Sequence, residues 1–183
     1  GDANLLAQCD LVADPEEPLV DGILFVERIT DFQRYLAPPP QTPRSGMSGE
    51  TLFNSIGCAS CHNPEYISGT APEAALSGIT FRPYSDFLLH DMAGLGDGIV
   101  QGDALDYEMK TPPLWGLRIR GEFLHDGRVQ VQTFQQGIDD AVAWHFGEGS
   151  TASFNYSQLT PTEQAQVGAF LASLGRAEFD MSG

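Results

Sequence analysis

The chain is short of positive charge. Nine Lys and Arg stand against 25 Asp and Glu, a formal net charge of −16. Such a field repels nucleic acid and anionic membranes, so neither is an expected partner; it suits cationic partners or simply keeps a protein soluble. Long apolar runs are missing as well. None approaches the ~20 residues that cross a bilayer, so no membrane span is expected. The opening residues, GDANLLAQCD, lack the basic and apolar regions of a signal peptide. On that ground the chain is cytoplasmic, mature, or a piece cut from something longer. No internal repeat and no sustained strand alternation is visible. Cysteine is scarce: of three, only Cys58 and Cys61 form a motif, and Cys9 is either free or paired outside this chain.

What is present is concentrated at residues 56–64, IGCASCHNP. Two thiols separated by two residues, with His62 next, form the attachment pattern of a c-type haem. Two intervening residues let one turn of chain bring Cys58 and Cys61 to both vinyl groups, and the following histidine then serves as proximal ligand. Competing readings are a thioredoxin-like redox pair, half of a zinc site, or a disulfide. A zinc site needs further ligands, and no second C-x-x-C exists. A thioredoxin-like pair needs a βαβ context, whereas this motif follows a helical pattern. Covalent haem attachment takes place outside the cytoplasm, so the motif shifts the expected compartment to a bacterial periplasm or another exported location.

The rest of the chain is organised around that motif. Residues 21–36 have a helical stripe of Phe25, Ile29, Phe32 and Leu36, with Asp21 as N-cap. The stretch APPPQTPRSG then reads as a stiff linker, dividing an N-terminal extension, 1–45, from a haem domain, 46–183. A short helix over 49–57, opened by Ser48 and closed by Gly57, leads into the cysteines. Residues 63–127 are rich in Gly, Pro and Asp, with short helical patches such as YSDFLLHDM. That is a long irregular stretch, tolerable if a large cofactor replaces side-chain core. Over 134–146, Phe134, Ile138, Val142 and His145 share one face. The last helix has Thr160 as N-cap, Pro161 in its first turn, Glu163 completing a capping box, and Gly175 as its stop. The fold expected from this pattern is all-α: a cytochrome c-like helical domain around a covalently bound haem, with long irregular loops.

Taken in order, GETLFNSIGCASCHNP, RPYSDFLLHDMAGLGDG, TPPLWGL, FLHDGR, AVAWHFGE and VGAFLASLG resemble the C-terminal half of bacterial di-haem oxidoreductases. These are often labelled thiol oxidoreductases and are related to di-haem cytochrome c peroxidases and MauG. A full member carries two C-x-x-C-H motifs and this chain carries one, so it looks like the C-terminal haem domain. The resemblance implies one covalent haem c here and a second haem domain or redox protein as partner. Three functions follow: an electron-transfer domain, a peroxidase- or MauG-like enzyme with a reactive haem in this chain, or a haem-free thiol module of Cys58 and Cys61.

The sixth iron position separates the first two, since a filled site favours electron transfer and an open one allows peroxide or gas chemistry. His145 is the leading candidate, because the corresponding helix of the resembling peroxidases carries the distal ligand; the alternative is a core histidine bonded to a carbonyl. Met92 is the runner-up and Met109 a weaker one, each otherwise plain packing. His90 and His125 both precede an aspartate that either orients the ring or stabilises a turn. Arg118, Arg120 and Arg128 are candidates to pair with haem propionates, or with surface carboxylates. Trp115 and Trp144 are candidates for electron relay or for packing. The acid-rich GLGDG and GDALDYE raise a weak case for Ca²⁺, although neither fits an EF-hand loop.

Overall fold

The computed structural model describes residue 8, residues 22–41 and residues 45–175. Asp21 and Cys9 fall outside the described residues. The chain divides into two compact units, Gly1–Ala37 and Pro38–Gly183. In the first, helix α1 (Phe25–Tyr35) starts after Leu24, whose backbone N–H donates to Glu27 at 2.9 Å. No residue of α1 is buried.

The second unit is built on helices α2 (Ser48–Ser55), α3 (Phe134–Ala143), α4 (Ser150–Ser157) and α5 (Pro161–Ser173). Three of their ends have a local reason. Thr133 caps α3 by accepting from the Gln136 N–H at 3.2 Å. Thr160 and Glu163 close a reciprocal capping box on α5, which satisfies two orphan N–H groups at once. Gly57, at φ 101°, ends α2 in the left-handed region that only glycine enters cheaply. Helices α2 and α5 cross at Gly49, where a Cβ would collide with the Gln166 carbonyl oxygen. That close approach brings Phe53 against Phe170 at 5.3 Å, and Tyr84 meets Phe170 edge-on at the same spacing. Val167, Leu171, Leu174, Ile138 and Tyr156 complete the core.

The all-α expectation is wrong. Three two-stranded antiparallel sheets occupy the Gly- and Asp-rich middle. Strands β1 (Tyr66–Ile67) and β2 (Thr80–Phe81) pair, as do β3 (Leu89–Asp91) with β4 (Glu108–Lys110), and β5 (Glu122–Phe123) with β6 (Val129–Gln130). The fold is mixed α and β. The patch YSDFLLHDM is not helical: it carries β3, with His90 opposite Met109. Strands of two or three residues are too short to display an alternation, and their pairing depends on residues distant in sequence. Among the described residues, no helix is long and apolar enough to cross a membrane.

Candidate functional site

Past Gly57 the chain makes a single 3₁₀ turn, Cys58–Ser60, before Cys61 and His62. Both cysteines are free thiols and partly buried. Burial pushes the Cys58 thiol up to about 12. Cys61 is raised as well, chiefly by burial, with the negative fields of Asp86 and Glu148 adding to it. Thiolate is the reactive form in disulfide exchange, so this environment opposes a dithiol redox role.

His62 packs against Phe53, with ring centres 6.1 Å apart. Its Nδ1–H donates to the Tyr84 carbonyl at 2.9 Å. Tyr84 holds that carbonyl in place at a cost. It is fully buried with φ +50°, a strained conformation for a non-glycine residue. Its hydroxyl donates to Glu50 at 3.0 Å, anchoring it to α2. Burial lowers the His62 imidazole from its ordinary value to about 4.

His145 lies just beyond the end of α3, where its backbone N–H donates to the Val142 carbonyl at 3.0 Å. The helix is shorter than the sequence period suggested, and Trp144 forms its C-cap. The His145 Nδ1–H donates to the Ala141 carbonyl at 2.8 Å, and burial lowers its pKa too. The centres of the His62 and His145 rings are 6.4 Å apart at an interplanar angle of 48°. A carbonyl can only accept, so each ring carries its proton on Nδ1 and presents a bare Nε2. Among the described residues no hydrogen bond takes up either Nε2.

The other candidates fall in different places. Met92 is buried, with its methyl group beside Gly149, which also lies against the Cβ of His145. Met109 sits in β4 opposite His90. His90 is held on both nitrogens, by Asp86 through Nε2 at 2.8 Å and by Glu148 through Nδ1 at 2.9 Å. The neighbouring Asp91 is not its partner; that carboxylate accepts from the Ala93 N–H at 2.8 Å. Likewise Asp126 binds Arg128 at 2.6 Å, while His125 approaches Asp97 at 3.7 Å. Arg128 also lies 4.5 Å from the Trp144 ring centre. Arg118 and Arg120 are exposed at the turn Leu117–Ile119. The Trp115 indole N–H donates to the Arg82 carbonyl at 2.7 Å. Among the described residues, no hydrogen bond or ring contact joins these three to Cys58, Cys61, His62 or His145. Asp86, Glu148 and Tyr84 are site residues that sequence reasoning passed over. The only cue was that all three lay in resembling motifs, RPYSDFLLHDMAGLGDG and AVAWHFGE, and nothing in these marked a contact to residues 61, 62 or 90.

Comparison with known proteins settles the family. Residues 30–174 match the family model described as "Di-haem oxidoreductase, putative peroxidase". The chain belongs to the di-haem oxidoreductase family. No curated protein and no solved structure matches it. Membership makes haem the family's cofactor and gives the chain a redox role in general terms.

The residues present fit a haem. Two imidazoles bound to one metal at about 2 Å, with each ring centre ~1.2 Å beyond its nitrogen, have centres about 6.3 Å apart. The observed spacing is 6.4 Å. Both rings are held neutral, as ligands must be, and both are oriented by a backbone carbonyl on the far nitrogen. The two free thiols stand immediately before the first of them.

Proposed function

We propose that this chain is the electron-transfer haem domain of a di-haem oxidoreductase, exchanging electrons with a second haem domain or a redox protein. Cys58 and Cys61 would hold one haem c through thioether bonds, and His62 and His145 would ligate its iron. Haem bound in this way supplies a one-electron couple, and two imidazole ligands favour a low potential over the higher one that a thioether ligand gives. The chain's own part is positional. Tyr84 and Ala141 fix the tautomer of each histidine, and Phe53 packs against the His62 ring. The observation that carries the reading is the pair of neutral rings with unengaged Nε2 atoms at the spacing of a shared metal. Haem attachment of this kind belongs outside the cytoplasm, so a periplasmic or otherwise exported location is part of the proposal.

The test is an optical spectrum of the full chain made in cells that attach c-type haem. Ferric and ferrous forms should be low-spin, and CO should leave the ferrous bands unchanged. A prompt shift with CO would mean an open sixth position, and peroxidase- or MauG-like chemistry in this chain would replace the electron-transfer reading.

A further inference from the structure

Two of the five tyrosines are buried, and each donates its hydroxyl to a carboxylate. Tyr84 does so to Glu50 at 3.0 Å, with a second acceptor in Gln41 at 3.4 Å. Tyr156, on α4 and 4% exposed, does so to Asp139 on α3 at 2.5 Å. That is the short end of the range for a hydroxyl on a charged carboxylate. The Gln135 amide donates to both partners, at 2.8 Å to the carboxylate and at 3.0 Å to the phenol oxygen. The phenol oxygen thus accepts from Gln135 and directs its own proton at Asp139. Burial, and next the Asp139 carboxylate, hold that hydroxyl well above its ordinary pKa. The proton therefore stays on Tyr156 while the ring keeps its electrons. The pair stands beside the cysteine motif. Tyr156 belongs to the core that Cys58 packs against, and charge on Cys58 acts on its hydroxyl. Asp139, Tyr156 and His145 line one open cleft between α3 and α4.

We propose that Tyr156 is a redox-active tyrosine, which gives one electron to an oxidised haem while its proton crosses to Asp139. The oxidant is a haem raised above the ferric state by a peroxide, the co-reactant of a peroxidase-like family; to that extent the inference rests on the haem-domain reading. The step balances. The Tyr156 O–H bond breaks and an O–H bond forms on the Asp139 carboxylate, leaving a neutral phenoxyl radical and a neutral carboxylic acid, and the haem is reduced by one electron. The carboxylate is what makes the loss feasible, because a phenol that kept its proton would become an unpaired buried cation, which is costly. The Gln135 N–H remains bonded to the phenoxyl oxygen, and the cleft at Asp139 leads the proton towards solvent. Trp144, the aromatic adjoining His145, is arranged in the opposite sense. The Arg128 guanidinium stands 4.5 Å from its ring centre, so removing an electron from that ring would set two positive charges face to face. Tyr84 is less suited than Tyr156, since its hydroxyl is divided between two acceptors at longer distances.

The experiment is flash oxidation of the full haem-loaded chain by a ruthenium(III) tris-bipyridine complex, generated from ruthenium(II) and persulfate, with radicals trapped and read by electron paramagnetic resonance. A phenoxyl signal should form, Tyr156→Phe should remove it, and Trp144→Phe should leave it in place. Asp139→Asn keeps a hydrogen-bonding group but takes up a proton poorly, so the signal should form more slowly and decay faster. A phenoxyl signal that survives Tyr156→Phe, or one lost with Tyr84→Phe instead, would overturn the proposal. So would the absence of any such signal. Asp139→Asn is the second variant if Tyr156→Phe fails to fold: a radical that forms and decays as in the unaltered chain would overturn the proposal too. Because the oxidant is supplied from outside, this readout is separate from the haem-domain reading, which the covalent mass and the CO spectrum of the same sample test.

Discussion

His62 and His145 come from opposite halves of the second unit's sequence, yet their ring centres stand 6.4 Å apart, each tethered through Nδ1 to a backbone carbonyl. Replacing His145 with Ala in the haem-loaded chain should open one axial position. The ferrous spectrum should then shift on adding CO, while the covalent haem mass stays the same. If His145→Ala leaves the spectrum unchanged and Met92→Ala opens it, Met92 is the ligand.

Acid sensitivity should differ between haem-free and haem-loaded chains. Burial lowers His62 to about 4 and lowers His145 as well. Below about pH 6.5 the unfolded imidazoles take up protons that the folded ones refuse. The unfolded state then binds more protons, so stability falls as pH drops from about 6.5 towards about 4. A metal-bound nitrogen cannot protonate without leaving the metal, so in the haem-loaded chain the fall should continue below about pH 4, where the haem-free chain levels off. Urea midpoints at two pH values on both forms would check it.

Gly49→Ala should destabilise the second unit, because its new Cβ collides with backbone at the crossing of α2 and α5. Overpacking of this kind costs about 1–3 kcal/mol, and backbone yields less readily than a side chain, so the upper part of that range is expected. Chemical denaturation should show a lower midpoint with an unchanged slope.

Tyr84→Phe keeps the carbonyl that orients His62 but removes the hydroxyl that donates to Glu50. The loss should be about 1–3 kcal/mol, since a partly buried carboxylate loses its donor. If the same variant also raises the CO reactivity of the haem-loaded chain, the Glu50 bond is holding the axial ligand as well as the fold.

The capping box at Thr160, the stop at Gly175 and the close of α2 at Gly57 were legible because they depend on neighbours within a few residues. The C-x-x-C-H motif was legible for the same reason. The partners of His90 were not. Its adjacent Asp91 suggested a pair, but a strand turns successive side chains to opposite faces, so an adjacent residue in β3 points away. The actual partners, Asp86 and Glu148, arrive from a preceding loop and from the turn after α3. The short sheets escaped notice because a two-residue strand has no period to read.

What the sequence determined by itself was therefore the local chemistry: helix ends, two thiols and a histidine in a C-x-x-C-H motif, and an ordered set of motifs marking the family. Tertiary structure alone decided which second histidine faces His62, that Tyr84 supplies the orienting carbonyl, and that Asp86, His90 and Glu148 meet beside Cys61. Those facts depend on how α2 crosses α5 and how the middle segment folds back in short hairpins. Such contacts join residues far apart in the chain, and neither composition nor periodicity encodes their spacing.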